Sequence, residues 1–182
     1  MTSGIDLGRP TSGDVIDLIT DDHRRFELLL SQLRLGTADR DSLRRAFADV
    51  LVAHGDAEEE IVYPVLRTTA FDVGEHDVEH GREEHAEGND ALLVLLELTG
   101  TDTQAFADAV EELSNLVAHH VAEEELSILE PARTEVSTKV RWDLGGKWAA
   151  RRNQLIDEGC GTVENVRRKV AAAQREGLLQ DV

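Results

Sequence analysis

The sequence predicts an all-α protein. An up-down-up-down four-helix bundle occupies residues 14–132, with a short arm (1–13) before it and one or two extra C-terminal helices (133–182) packed on it. Three observations predict this. Aromatics make up only 4% of the 182 residues and charged residues 31%, a balance that suits Leu/Val/Ala-packed helices rather than sheets. Apolar residues recur at three- and four-residue steps through four long segments, the mark of amphipathic helices. The connections between those segments are short, which favours antiparallel neighbours.

The first helix is expected from about Asp14 to Leu35, stopped by Gly36. The second starts after the capping residues Asp39 and Asp41, and Pro64 marks its last turns. The third runs roughly from Glu75 to Leu98 and ends at Thr99-Gly100. Thr101-Asp102-Thr103 opens the fourth, which ends near Pro131. In the extension, Gly145-Gly146 reads as a break between Trp142 and Trp148, two packing anchors. Val163, Val166 and Val170 then keep helical spacing in a stretch from Thr162 to about Gln174.

The formal charge is −18, with the acid concentrated before residue 133 and the extension slightly basic. A body this acidic repels nucleic acid and anionic membrane and suits cations. No apolar run is long enough to span a bilayer, and the N-terminus lacks the basic-then-apolar layout of a signal peptide, so a cytoplasmic protein is expected. Cys160 is alone, so neither an internal disulfide nor a thiolate cluster is available. It lies in a turn-like Glu-Gly-Cys-Gly, with nothing beside it to activate the thiol. The basic clusters Arg151-Arg152 and Arg167-Arg168-Lys169 read as one face of an amphipathic helix, as contacts to the acidic bundle, or as a dimer surface; a monomer or homodimer is expected.

Histidines interrupt all four apolar stripes. The stripes read Ile16, Ile19, His23, Phe26, Leu30, Leu33; then Leu43, Phe47, Val50, His54, Glu58 (or Ala57), Ile61, Val65. The third is Val78, His85, Asn89, Leu92, Leu96, and the fourth Phe106, Val110, Leu113, Val117, His120, Glu124. One histidine on an apolar face is ordinarily a satisfied core residue. Four helices breaking their stripes together, two of them with a glutamate one turn on, require a different account, because ionised carboxylates inside a bundle are costly unless paired or metal-bound. His-x-x-x-Glu places two side chains about 40° apart on successive turns, so both reach one ion or two adjacent ions. A donor set of nitrogen and oxygen without sulfur favours non-haem iron, with manganese as the alternative, and two bridging carboxylates suggest two metals.

A near-repeat makes the choice of residues sharper. VAHGDAEEEIVYP (52–64) returns as VAHHVAEEELSILEP (117–131). Direct overlay would select His119 and Glu123, but the stripe from Phe106 leads to His120 and Glu124, about 100° away on the helix. Glu59 and Glu60 are then expected to face solvent.

At these residues the chain resembles the hemerythrin-like, or HHE cation-binding, domains. DDHRRFELLL, HGDAEEEIVYP, EEHAEGNDALLVLLEL and HHVAEEELSILEP carry the resemblance, in the family's order, over residues 14–132. It implies a di-iron site, oxo- or hydroxo-bridged, with His23, His54, Glu58, His85, His120 and Glu124 as ligands. One departure stands out. Oxygen-carrying members supply two histidines four apart from the third helix, whereas Gly81 lies four residues before His85. His80, one position off, is a lesser ligand candidate, and would pair with His76 if the helix were shifted. With four histidines rather than five, one more coordination position stays open, which suits a substrate bridging both irons. The expected activity is therefore catalase-like decomposition of hydrogen peroxide. The alternative is reversible dioxygen binding or sensing, or iron or nitric oxide handling; a third reading is an interaction module with incidental metal. Glu59, Glu84, Glu123 and Glu125 are candidate proton carriers, and Tyr63 a candidate hydrogen-bond partner of a ligand.

Overall fold

Each predicted stripe folds as a helix in the computed structural model, which describes residues 5–36 and 39–179. Residues 1–4 of the expected arm and 180–182 of the expected extension lie outside the described residues. Helix α1 is Val15–Leu35; α2 runs from 40 to 69, α3 is Glu75–Glu97, and α4 runs from 104 to 135. The extension forms two helices, α5 (Thr138–Asp157) and α6 (Val163–Glu176). No strand occurs among the described residues, and no helix there is long and apolar enough to cross a membrane.

Local chemistry sets the ends. Asp14, Asp39, Thr103, Ser137 and Thr162 each accept a backbone N–H of the first turn, replacing bonds a helix start cannot make for itself. Gly36 closes α1 in the left-handed conformation at φ 65°.

The prolines do not end their helices. Helix α2 passes through a π-helical turn, Glu58–Val62, closed by the Tyr63 N–H on the Glu58 carbonyl, and continues as Tyr63–Thr69. Helix α4 does the same through Glu125–Leu129, closed by Glu130 on Glu125, and continues to Glu135. Pro64 and Pro131 follow each π turn by the same step. A proline has no N–H to donate and its ring crowds the carbonyl four residues back, and a one-residue bulge just ahead of it relieves both.

In the packing, α1 meets α2 and α4, and α3 meets α4 and α2, which closes a ring of four. Helix α5 lies along α1 and α2, and α6 along α3. Two dry clusters result. One gathers Phe26, Leu30, Phe47, Val50, Leu92 and Phe106 with Val166 of α6. The other gathers Ile16, Ile19, Val62, Leu66, Leu129 and Trp148. The histidine positions fall between them.

Gly145-Gly146 does not break the extension, since α5 runs straight through. A Cβ on Gly145 would stand 2.0 Å from the Gly13 carbonyl, so the glycine is there for close approach of the arm. Trp148 is fully buried as expected, but Trp142 is 54% exposed.

Candidate metal centre

The histidine-bearing stripes converge between the two apolar clusters. His23, His54, Glu58 and Glu124 bring ligating atoms within 4.8 Å of one another, and so do Glu58, His85 and His120. The six residues thus form two groups sharing Glu58, whose two oxygens face different groups. Oε1 is 2.9 Å from His54 Nε2, and Oε2 is 3.3 Å from His85 Nε2. Glu124 Oε2 lies 3.1 Å from His23 Nε2 and 3.8 Å from His120 Nε2. Ala57 is buried as well, but Glu58 is the residue aimed at the centre.

Behind each imidazole stands a carboxylate. Nδ1 of His54 meets Asp22 at 3.3 Å, His85 meets Glu59 at 2.9 Å, His120 meets Glu84 at 3.0 Å, and His23 meets Glu125 at 2.8 Å. These contacts close a ring: α1 braces α2, α2 braces α3, α3 braces α4, and α4 braces α1. With each Nδ1–H donating outward, each Nε2 turns its lone pair inward, the tautomer a metal needs. Tyr63 adds a further contact, its hydroxyl donating to Glu124 Oε1 at 2.8 Å. Its ring stacks on His85 with centroids 5.9 Å apart. A Cβ at position 81 would fall 2.9 Å from that hydroxyl, so Gly81 makes room for Tyr63 where the third helix offers no second histidine.

The donors fit a cation. His23 Nε2, His54 Nε2, both Glu58 oxygens and Glu124 Oε2 are buried without a hydrogen-bond partner, an arrangement that is expensive unless something positive satisfies them. His85 Nε2 and His120 Nε2 face each other at 3.1 Å. Separations near 3 Å are those of neighbouring ligands around a six-coordinate ion with bonds of about 2.1 Å.

Electrostatics agree. Burial disfavours protonated His54, yet the charge of Glu58 and the bond to Asp22 outweigh it and raise the imidazole to about 9. Burial likewise opposes ionised Glu58, but His54 and His85 hold its carboxyl well below the usual range. His85 is raised against its burial by Glu58 and Glu59, whereas burial and the neighbouring His85 lower His120.

Three expectations need correction. His80 stands apart from the six residues, with its side chain 44% exposed. His76 is exposed and stacks on His80 at 6.2 Å rather than approaching the centre. Glu59 does not turn to solvent but holds His85; Glu60 is the exposed one and pairs with Arg151. Of the readings open for Arg151-Arg152, contact with the acidic bundle is the one the structure shows: Arg152 is fully buried and grips Asp22 through two bonds of 2.5 and 2.8 Å. Glu123 braces no histidine; His119, with 62% of its side chain exposed, also faces away from the centre. Asp22 and Arg152 were missed as parts of the site. The available signal was that each bracing carboxylate sits one residue from an inward-facing residue, as in Asp22-His23 and Glu84-His85.

A cavity of about 20 Å³ adjoins His54, His85 and His120, walled by Val52, Gly55, Gly88 and Val117. It is room for roughly one water-sized molecule.

Comparison with known proteins supplies a family. A DNA nickase of Nostoc sp. (strain PCC 7120 / SAG 25.82 / UTEX 2576) is 28% identical over 129 residues, covering 69% of this chain and 35% of that relative. The chain therefore spans about a third of the relative's length. No solved structure matches significantly. The family described as Hemerythrin HHE cation binding domain matches residues 14–132, which contain all six inward residues and all four bracing carboxylates. On that match the chain belongs to the hemerythrin HHE cation-binding family.

Proposed function

We propose that the chain holds two iron ions on His23, His54, Glu58, His85, His120 and Glu124 and decomposes hydrogen peroxide to water and dioxygen. The observation that carries this reading is Glu58, fully buried, with each oxygen aimed at a different histidine group beside a cavity for one small molecule. When bound, such a metal pair supplies two-electron redox capacity. The chain's own residues do the rest. The ring of carboxylates fixes the four imidazoles and their tautomers, and Tyr63 holds one Glu124 oxygen. Val52 and Val117 keep the cavity dry on one side. Glu59, partly exposed at its wall, is placed to exchange a proton with solvent.

Helices running up, down, up and down account for one regularity of the ring. The bracing residue precedes its inward neighbour on α1 and α3 (Asp22-His23, Glu84-His85) and follows it on α2 and α4 (Glu58-Glu59, Glu124-Glu125). Reversing a helix reverses the sense in which the next residue rotates, so this alternation keeps every carboxylate turned the same way around the bundle. The charge of −18 supports a small neutral substrate over DNA.

The test is metal analysis and optical spectra of the isolated protein, with an oxygen electrode reading after peroxide is added. Two irons per chain and oxygen evolution are expected. Iron-loaded protein that evolves none, but forms a stable coloured adduct when reduced and exposed to air, would shift the assignment to reversible dioxygen binding.

A further inference from the structure

Two of the three histidines left over from the centre, His80 and His119, lie together on its outer side. His80 and Glu84 are one turn apart on α3, and His119 reaches them from α4. His80 Nε2 is 3.5 Å and His119 Nε2 3.4 Å from Glu84 Oε1, and the three ligating atoms all lie within 4.8 Å of one another. Around a tetrahedral ion with bonds of about 2.1 Å, neighbouring ligands stand about 3.4 Å apart. Those separations exceed a hydrogen bond and match the edge of such a tetrahedron.

The carboxylate provides a second, independent observation. The Glu84 side chain is only 6% exposed, and Oε1 is buried with no hydrogen-bond partner. Its other oxygen is occupied, accepting from His120 Nδ1 at 3.0 Å. A buried acceptor left bare, flanked by two imidazoles that are 44% and 62% exposed, is costly as it stands and is satisfied by a cation entering from solvent. The donor set, two imidazole nitrogens and one carboxylate oxygen with further positions open to water, suits a borderline divalent ion such as zinc or ferrous iron.

We propose that His80, Glu84 and His119 form a surface site for one exchangeable divalent cation, separate from the buried centre and joined to it through Glu84. Where His120 is a ligand of the buried pair, as proposed above, a cation on Glu84 Oε1 draws charge from the carboxylate that braces that ligand. Occupancy of the outer site then adjusts the inner one.

The experiment is calorimetric titration of zinc into the metal-loaded protein and into a His80→Ala, His119→Ala variant, with the metal already present measured on the same samples. Both substitutions are at exposed positions and leave the apolar clusters untouched. The wild-type chain is expected to take up one more equivalent of zinc than the variant, with equal resident metal in both. Equal zinc uptake by the two proteins would overturn the proposal. A difference of one equivalent in samples without resident iron would leave this site standing and sink the di-iron reading instead.

Discussion

The two sides of the buried centre are built differently. On the side where α5 covers α1 and α2, everything behind His54 is closed. Asp22 is 1% exposed and Arg152 fully buried, and Arg152 also donates to the carbonyls of Leu7 and Gly8 in the arm. Trp148 and Phe26 make T-shaped contacts with the His54 ring, their centroids 5.7 and 4.8 Å away. On the α3 side the brace of His85 is looser. Glu59 and its partner Arg82 are about a third exposed, and the cavity opens beside two glycines. One side is sealed; the other has room for a water-sized molecule.

This contrast can be broken first at Arg152. Arg152→Ala leaves Asp22 buried with only Arg25 and His54 beside it. We expect a loss of about 3–5 kcal/mol in denaturant unfolding. Arg82→Ala, at the exposed counterpart, is expected to cost about 0–1 kcal/mol.

The next effect is a pH dependence of the metal-free protein. His54 rises from 6.5 unfolded to about 9 folded, so its contribution is complete below pH 6.5 and is lost as pH climbs through 9. Urea midpoints should fall over that window, by up to about 3 kcal/mol of stability. An unchanged midpoint between pH 6.5 and 9 would show that His54 is not held charged by Asp22 and Glu58. Tyr63→Phe comes next. It strips the donor from buried Glu124 Oε1 and should cost about 1–3 kcal/mol, checked by the same unfolding curves.

The glycines give the smallest effects. Nothing stands within 4 Å of a Cβ at Gly88, whereas one at Gly55 meets the His85 ring at 3.3 Å. Gly88→Ala should therefore raise stability by about 0.5–1 kcal/mol. Gly55→Ala should gain less than this or lose stability, because the ring must shift to admit the methyl group. Equal gains at the two positions would mean that His85 is not held against α2.

Much of this site was legible because its logic is periodic. A histidine breaking each apolar stripe, with glutamates one turn on, identifies all six inward residues without any tertiary information. The braces were harder to read. A glutamate beside a ligand on an acidic helix looks the same as one in water until the neighbouring helix is in place. Arg152 is the extreme case. Its adjacent Arg151 does pair at the surface, and nothing local separates the two. Gly145 was misread for a related reason, since a glycine needed for close approach to Gly13 carries the same letter as a helix breaker. The π turns leave a faint trace, a proline four residues past the first acidic run and six past the second, but the extra residue itself appears only in the backbone bonding.

Those π turns decide where these helices tolerate a change in length. A residue added between Phe47 and His54 would turn the inward residues of α2 by about 100° relative to the apolar stripe that anchors it. It would break the brace α2 gives and the one it receives. Past Glu58 and Glu124 the same addition is already present, absorbed as a bulge, and Leu66 and Ala132 still reach the core. Insertions and deletions inside α2 and α4 should therefore survive on the proline side of the centre and fail on the other.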